Sequence, residues 1–310
     1  WNDKETVINS ATFLAIENPS TDVARYRAGD LDITSYALPP EQFAKLQKEL
    51  PGEVFTTRTL ATYSYELNNK KAPFDNVNVR KALNLSLDRN VITDKVLGQG
   101  QTPTYVFTPT YIEEGHLIQQ PAYSKEPMAQ RNEEAIKLLE EAGYSKANPL
   151  KFSILYNTNE NHKKVAIAAA SMWKANTKGL IDVKLENQEW KTYIDSRRAG
   201  RYDAARAGWN ADYNQATTFG NYFLSNSSNN TAKYANPEYD KAIAESYVAT
   251  DAEGRAKAYA KAEEILAKDF GIVPIFNYVN PRLVKPYVKG YSGKDPQDHI
   301  YLRNLYIIKH

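Results

Sequence analysis

The feature that most constrains the fold is a strand–helix–strand pattern between residues 151 and 187. Residues 151–157 and 181–187 each predict a strand, and residues 163–176 between them predict a helix. Such a crossover joins two parallel strands of one sheet and places the helix against a face of that sheet. The sequence therefore predicts an α/β protein.

The composition is that of a globular chain and disfavours several classes of protein. The chain has 310 residues, is 42% hydrophobic and 25% charged, and carries a formal net charge of +2. These values predict about two domains and no basic surface for nucleic acid. The longest apolar run, residues 165–170, is far shorter than the ~20 residues that cross a bilayer. The absence of cysteine is compatible with both the periplasm and the cytosol.

Residues 206–214, Arg-Ala-Gly-Trp-Asn-Ala-Asp-Tyr-Asn, predict a strand followed by a loop that contacts a ligand. Gly208 allows another backbone to approach closely. Arg206 can bind a carboxylate through two N–H groups and Asp212 can accept several N–H bonds, so they are candidate receptors for a ligand carboxylate and a ligand ammonium. The alternative is a structural ion pair between the two, which the residues alone favour.

Other segments predict the surroundings of this stretch. Residues 55–68 and 272–280 have the pattern of strands, with Tyr63 and Tyr65 on one face of the first strand and Glu66 on the other. We assign Tyr63 and Tyr65 to the core, together with Tyr202. Residues 101–130 contain four prolines and predict a long surface loop.

Catalytic and metal-binding patterns were sought and mostly not found. The four histidines are scattered, and no His-x-x-x-His or cysteine set offers a metal cage. No Gly-x-Ser-x-Gly, Walker or Gly-x-Gly-x-x-Gly motif is present, which disfavours hydrolase, nucleotide-dependent and dinucleotide-binding functions. We therefore predict no enzymatic activity, metal or cofactor. A hydrolase that uses a carboxylate pair, such as Glu189 with Asp212, stays as the alternative from another class.

Several separated segments carry a resemblance to a known family. The chain resembles the C-terminal three-fifths of bacterial periplasmic oligopeptide-binding proteins, the family 5 solute-binding receptors of peptide ABC importers. The resemblance implies a two-lobed periplasmic binding protein fold (type II), a short peptide ligand and an inner-membrane permease as partner. The matching segments are residues 21–32, 65–69, 155–158, 187–191, 206–214 and 283–286.

The resemblance also implies a division of the chain. Residues 1–60 and 280–310 would belong to the first lobe and residues 61–279 to the second, with residues 301–308 as a closing strand. The alternation of residues 7–13 predicts a strand that begins almost at the start of the chain, and we expect any signal peptide to lie outside this sequence. We therefore expect that an N-terminal part of the first lobe is missing and is supplied by another segment or chain.

The same resemblance assigns roles to individual residues. Asp212 is similar to the acidic residue that receives the peptide ammonium, and Arg206 and His162 are similar to basic residues that meet the peptide carboxylate. This assignment reverses the preference for a structural ion pair. The remaining predicted peptide-binding residues are pocket walls, a strand backbone and side-chain pocket positions: Trp190, Trp209, Tyr278, Gly208, Glu66, Arg197 and Asn210.

Three positions depart from close relatives. Ala61 and Asn210 stand where those relatives have a cysteine pair, and Leu97 stands where they have a lysine that helps hold longer peptides. The preferred peptide length and the pocket polarity are therefore left open. A receptor for murein peptide or haem is the alternative within the family, and Arg206 favours ordinary peptides with a free carboxylate.

Overall fold

The chain divides into two compact units. The structure is a computed structural model that describes residues 3–16 and 18–309. Unit 1 comprises the described parts of residues 1–59, 97–101 and 278–310, and unit 2 comprises residues 60–96 and 102–277. No helix in the described residues is long and apolar enough to span a membrane.

Six strands form one mixed sheet, most of which lies in unit 2. In chain order they are β1 (Val54–Leu67), β2 (Thr102–Pro103), β3 (Leu150–Asn157), β4 (Ile181–Gln188), β5 (Ala204–Asn210) and β6 (Ile272–Leu283). Their order across the sheet is β2-β6-β1-β5-β3-β4. A separate two-stranded sheet in unit 1 joins β7 (Val288–Lys289) to β8 (Tyr306–Ile307).

Helices follow and connect these strands. In chain order they are α1 (Pro19–Ala28), α2 (Pro40–Glu49), α3 (Val77–Leu85), α4 (Met128–Glu141), α5 (Glu160–Asn176), α6 (Trp190–Arg198), α7 (Thr217–Gly220), α8 (Pro237–Val248) and α9 (Ala252–Lys268). A π-helical segment spans Val91–Leu97.

The predicted crossover is present as β3, α5 and β4. The two strands pair in parallel from Leu150 opposite Ile181 to the ends of both strands. Asn159 caps α5 by accepting two backbone N–H bonds, and Val165, Ala166, Ala169 and Trp173 form its buried stripe. The spacing of these apolar residues is that of one helix face, so the helix covers the sheet. The α/β prediction is confirmed.

The antiparallel ladder of β1 and β5 fixes which side chains share a face. Tyr65 lies opposite Arg206 and Tyr63 opposite Gly208. Residues opposite each other in a ladder point to the same side, and side chains alternate along a strand. Arg206 therefore shares a face with the two tyrosines, whereas Glu66 and Trp209 belong to the other face.

An aromatic core in unit 2 holds the long segment between β2 and α4. Phe107 packs edge-on against Phe219 and Phe223, with ring centroids 5.2 and 4.8 Å apart. Buried Glu263 of α9 accepts the backbone N–H groups of Phe107 and Thr108 and, at 2.7 Å, the Thr108 hydroxyl. The predicted loop is thus largely irregular in backbone, but it is anchored by an apolar ring cluster and a buried carboxylate.

Unit 1 has a smaller core of its own. Val23, Tyr26, Phe43 and Leu46 of α1 and α2 are buried together with Leu283. In the same unit, Arg282 forms an ion pair with Asp298, and both side chains are buried. These contacts join the two helices to the end of β6.

Two predicted strands in unit 1 are wrong or shortened. Residues 7–13 form no regular structure, and the side chains of Val7 and Phe13 are 65% and 83% exposed. Alternation is a side-chain pattern, whereas a strand also needs a neighbour for its backbone groups, which the described residues do not offer here. In residues 301–308 only Tyr306 and Ile307 pair as a strand, after a 3₁₀ turn at Leu302–Asn304.

Candidate ligand-binding site

The structure brings Arg206 and His162 together around one tyrosine ring. The Arg206 guanidinium lies 5.2 Å from the centroid of the Tyr63 ring, and the His162 ring centroid lies 5.6 Å from the same ring. Tyr63 and Tyr65 are both buried, and their rings meet edge-on at 5.9 Å. Their assignment to the core is confirmed. We name Arg206, His162, Tyr63 and Tyr65 the Arg206 cluster.

The electrostatics of this cluster keep His162 neutral. Burial, and then the positive charge of Arg206, lower the pKa of His162 well below its usual value of 6.5. A neutral imidazole offers one N–H donor and one acceptor instead of a positive charge. Within this cluster Arg206 is therefore the charged group, and His162 is a neutral hydrogen-bonding group.

The predicted loop begins after Asn210, since Trp209 still belongs to β5. We name residues 211–216 the contact loop, and a residue that the sequence analysis missed joins it to Trp209. The Thr218 hydroxyl accepts hydrogen bonds from Trp209 Nε1 and from the Asp212 backbone N–H, each at 3.2 Å. It donates to Asp212 Oδ2 at 3.2 Å. Thr218 is buried and Asp212 is exposed. A buried hydroxyl thus holds an exposed carboxylate and an indole.

A second loop braces the first. Glu113 donates its backbone N–H to Asn214 Oδ1 at 3.2 Å, and its carbonyl accepts the Ala216 N–H at 3.0 Å. Next to it, Glu114 accepts Gln215 Nε2 at 3.0 Å and Arg255 Nε at 2.7 Å. Backbone and side-chain bonds therefore hold the C-terminal half of residues 211–216.

The backbone of Glu114 is in the left-handed region, with φ of 63°. A non-glycine residue in this region is uncommon and is held there by its surroundings. The ion pair with Arg255 and the bond to Gln215 provide that restraint. We name Glu113, Glu114 and Arg255 the brace of the contact loop. No sequence pattern predicts it, because a glutamate gives no indication of a positive φ.

Glu66 and Arg197 form a buried ion pair in unit 2. Arg197 Nη2 lies 3.0 Å from Glu66 Oε2, and their side chains are 10% and 1% exposed. Glu66 also accepts the Tyr222 hydroxyl at 2.6 Å and the Thr231 hydroxyl. Burial opposes the charge of Arg197, but the Glu66 carboxylate outweighs it and raises the pKa of Arg197. The two predicted pocket residues thus lie together, bound to one another.

The aromatic rings link this pair to the contact loop. Trp209 meets the Tyr222 ring edge-on, with centroids 4.9 Å apart. Because Tyr222 also donates to Glu66, a continuous path of contacts runs from Thr218 through Trp209 and Tyr222 to the ion pair. This path lies on the face of the ladder opposite the Arg206 cluster.

Other predicted site residues lie apart from these groups or at their edges. Trp190 is 53% exposed at the start of α6 and stacks on Tyr193. Tyr278 belongs to unit 1, where its carbonyl accepts the Thr59 hydroxyl at 3.2 Å. Asn210 ends β5.

Ala61 and Asn210 are direct partners in the antiparallel ladder of β1 and β5. The resemblance assigns a cysteine pair of close relatives to these two positions. In this chain the same neighbouring positions carry a methyl group and an amide.

In the described parts of the chain, no group of three or more His, Cys, Asp or Glu side chains could hold a metal ion.

Comparison with known sequences and structures identifies what this chain is similar to. The profile of the bacterial extracellular solute-binding proteins, family 5 Middle, matches residues 1–231. The chain is 96% identical over 310 residues to the periplasmic oligopeptide-binding protein OppA of Haemophilus influenzae, of which it spans 57%. It is 44% identical over 310 residues to the periplasmic murein peptide-binding protein MppA of Escherichia coli, again over 57% of that relative.

Solved structures agree with these sequence relatives. The crystal structure of Haemophilus influenzae OppA in complex with the peptide RPPGFSPFR matches with a TM-score of 0.94 and 95% identity, covering all of this chain and 60% of that one. The Escherichia coli murein tripeptide-binding protein MppA matches with a TM-score of 0.92 and 43% identity. The chain thus spans less than two thirds of these relatives, and its predicted α/β periplasmic-binding-protein fold class is confirmed.

Proposed function

Because the chain belongs to the bacterial extracellular solute-binding proteins of family 5, we propose that it is the part of a periplasmic receptor that binds short oligopeptides. The receptor delivers them to an ABC importer in the inner membrane. The observation that carries this proposal is the 96% identity to a relative named as a periplasmic oligopeptide-binding protein. The similar crystal structure with a bound peptide supports the same ligand class.

Binding in this proposal depends on features that all peptides share. Asp212 receives the ligand ammonium, and the Arg206 cluster receives the ligand carboxylate. Gly208 offers strand backbone to the peptide main chain, as in recognition by strand addition. Side chains then contribute less, so peptides of about two to five residues with varied side chains bind within a few kcal/mol of one another.

The two units and the remaining predicted residues also have roles in the proposed receptor. Unit 1 belongs to the first lobe and unit 2 to the second. Trp190, Trp209 and Tyr278 form walls of the peptide pocket. Glu66 and Arg197 belong to a pocket for a peptide side chain. The receptor performs no chemistry on its ligand, so a bound peptide is released unchanged.

Murein peptide is the second candidate ligand. A relative named for murein peptide binding is 44% identical to this chain, and the corresponding structure has a TM-score of 0.92. Both ligands are peptides, so the same ammonium receptor serves either one. Native mass spectrometry of the purified full-length protein, followed by sequencing of the released ligand, separates ordinary peptides from murein peptides and from haem.

The role of Asp212 is tested by a double-mutant cycle. Truncating one partner of an enclosed ion pair typically costs ~2–5 kcal/mol. Asp212→Asn is therefore expected to weaken free-amine peptides by at least about tenfold, since ~1.4 kcal/mol is one decade. N-acetylated peptides have no ammonium, so the same substitution changes their affinity much less. Calorimetric titration of both peptides into both proteins gives the coupling energy.

Equal weakening of both peptide forms would show that Asp212 is a structural residue. A chemically altered peptide after incubation would instead support the hydrolase alternative. Neither result is expected from a receptor that recognises the terminal charges.

A further inference from the structure

The Thr218 hydroxyl has all of its hydrogen-bonding capacity engaged at the contact loop. A threonine hydroxyl has one donor and two acceptor lone pairs. Here the lone pairs face Trp209 Nε1 and the Asp212 backbone N–H, and the donor faces Asp212 Oδ2, all at 3.2 Å. One oxygen atom therefore ties an indole, a loop backbone and a carboxylate together.

The surroundings of Thr218 make this arrangement rigid. Its residue surface is 4% exposed, while Asp212 itself is exposed. A β-branched side chain has few available rotamers, so the hydroxyl direction is set by the backbone. Trp209 is held from its other side by the Tyr222 ring at 4.9 Å. The exposed Asp212 carboxylate is consequently held by the hydroxyl of a buried residue, Thr218.

We propose that Thr218 is a positioning residue that determines the receptor's preference for a free peptide ammonium. It fixes the plane of the Asp212 carboxylate and couples that orientation to the Trp209 indole. The inference rests on the proposed role of Asp212. A charged group held in place before the ligand arrives loses less conformational freedom on binding, and this is the source of the preference.

The test compares Thr218→Val, which keeps the shape and removes the hydroxyl, with Thr218→Ser, which keeps the hydroxyl. Calorimetry with trialanine and N-acetyl-trialanine in the full-length protein measures both affinities. We expect Thr218→Val to weaken trialanine by about five- to tenfold, because a hydrogen bond to a charged group is lost. N-acetyl-trialanine changes by less than about twofold, and Thr218→Ser restores trialanine binding.

A matched control is available at the adjacent residue. Thr217 is also buried, and its hydroxyl bonds to Gln215 Oε1 and to the Tyr259 hydroxyl, each at 2.7 Å. Thr217→Val removes a buried hydroxyl from the same short helix and is expected to leave the ratio of the two affinities unchanged. Thr218→Ala is measured in parallel, so that the test survives if the valine variant does not fold.

A spectroscopic measurement reports the Trp209 bond independently of peptide affinity. A ¹H–¹⁵N spectrum of the full-length protein shows one indole N–H signal for each tryptophan, four of which belong to this chain. Trp209→Phe assigns the relevant signal. That signal is expected to shift in Thr218→Val and to return in Thr218→Ser.

The outcomes are distinguishable. If Asp212→Asn weakens trialanine and N-acetyl-trialanine equally, the proposed role of Asp212 fails and the inference fails with it. If Asp212→Asn weakens trialanine selectively but Thr218→Val weakens both peptides equally, or neither, Thr218 is a structural residue only and the inference is overturned.

Discussion

The two faces of the β1–β5 ladder each have an arginine nearby, and the surroundings of the two arginines differ. On one face, Arg197 is paired at 3.0 Å with Glu66, which two further hydroxyls also bind. On the other face, Arg206 lies against the Tyr63 ring and beside His162, whose lowered pKa keeps it neutral. Arg197 is thus paired with a buried carboxylate of the protein, and this ion pair joins parts of the fold that are distant in the chain. The proposed function assigns Arg206 to a carboxylate on the ligand.

The largest effect is expected at the buried ion pair of Glu66 and Arg197. Glu66→Gln keeps the side-chain shape but leaves Arg197 as an uncompensated buried cation, and breaking such a pair costs ~3–5 kcal/mol. Urea unfolding of the variant measures this loss. The matched control is Glu245→Gln, because Glu245 pairs with Lys261 at 3.0 Å on the surface and exposed pairs contribute ~0–1 kcal/mol. Equal losses in the two variants would remove the distinction between buried and exposed pairs.

Arg206 is expected to affect binding more than stability. Arg206→Gln should weaken peptides with a free carboxylate by ~2–5 kcal/mol, the cost of truncating an enclosed charge pair. C-terminally amidated peptides should be nearly insensitive, and calorimetry with both forms makes the comparison. If Arg206→Gln lowers the unfolding free energy as much as Glu66→Gln and spares binding, the contrast between the two faces is wrong.

A smaller effect is expected at the brace behind the contact loop. Glu114→Gln removes the negative charge that Arg255 contacts, and we expect a smaller loss of unfolding free energy than for Glu66→Gln, because the Arg255 side chain is partly exposed to solvent. Hydrogen exchange of residues 211–216 should become faster, because their support from residue 114 is weakened. Glu253→Gln, which alters an exposed contact with His116 at 3.3 Å, serves as the control and should leave that exchange unchanged.

The last comparison is the pH dependence of the Arg206 cluster, an effect that is small for each pH unit. Because the pKa of His162 is lowered in the folded state, the unfolded chain binds its proton at a higher pH than the folded chain. Stability is therefore lost as the pH falls from the unfolded value of ~6.5 towards the folded pKa, by at most about 1.4 kcal/mol per pH unit. His162→Gln should flatten this slope in urea unfolding measured between pH 4 and pH 7. A His162 signal that titrates near pH 6.5 by NMR would contradict it.

The sequence predicted those helices and strands that have a local side-chain pattern and a pairing strand close by in the chain. The β3–α5–β4 crossover was predictable because buried strands and a helix stripe leave different periods in the chain. The same reasoning was wrong for residues 7–13, which alternate in character but form no strand. Period alone does not show whether a neighbouring strand exists.

The candidate site was predicted in part. The sequence and its resemblance selected Arg206, His162 and Asp212, and the structure brings the first two together around Tyr63. Their roles in binding remain predictions. Thr218 and Glu114 were not found, because their partners are chosen by loop geometry and leave no pattern in the chain.

What the sequence by itself determined is the α/β class, the family and the residue types at the proposed peptide termini. Only the tertiary structure decided that Glu66 and Arg197 meet as a buried ion pair. Glu66 and Arg197 are separated by 131 positions, so no local rule pairs them, and the register of β1 with β5 puts Arg206 on the opposite face. The physical reason is that side-chain periodicity is a property of neighbours in the chain, whereas the environment of a charge depends on which strands and loops meet around it.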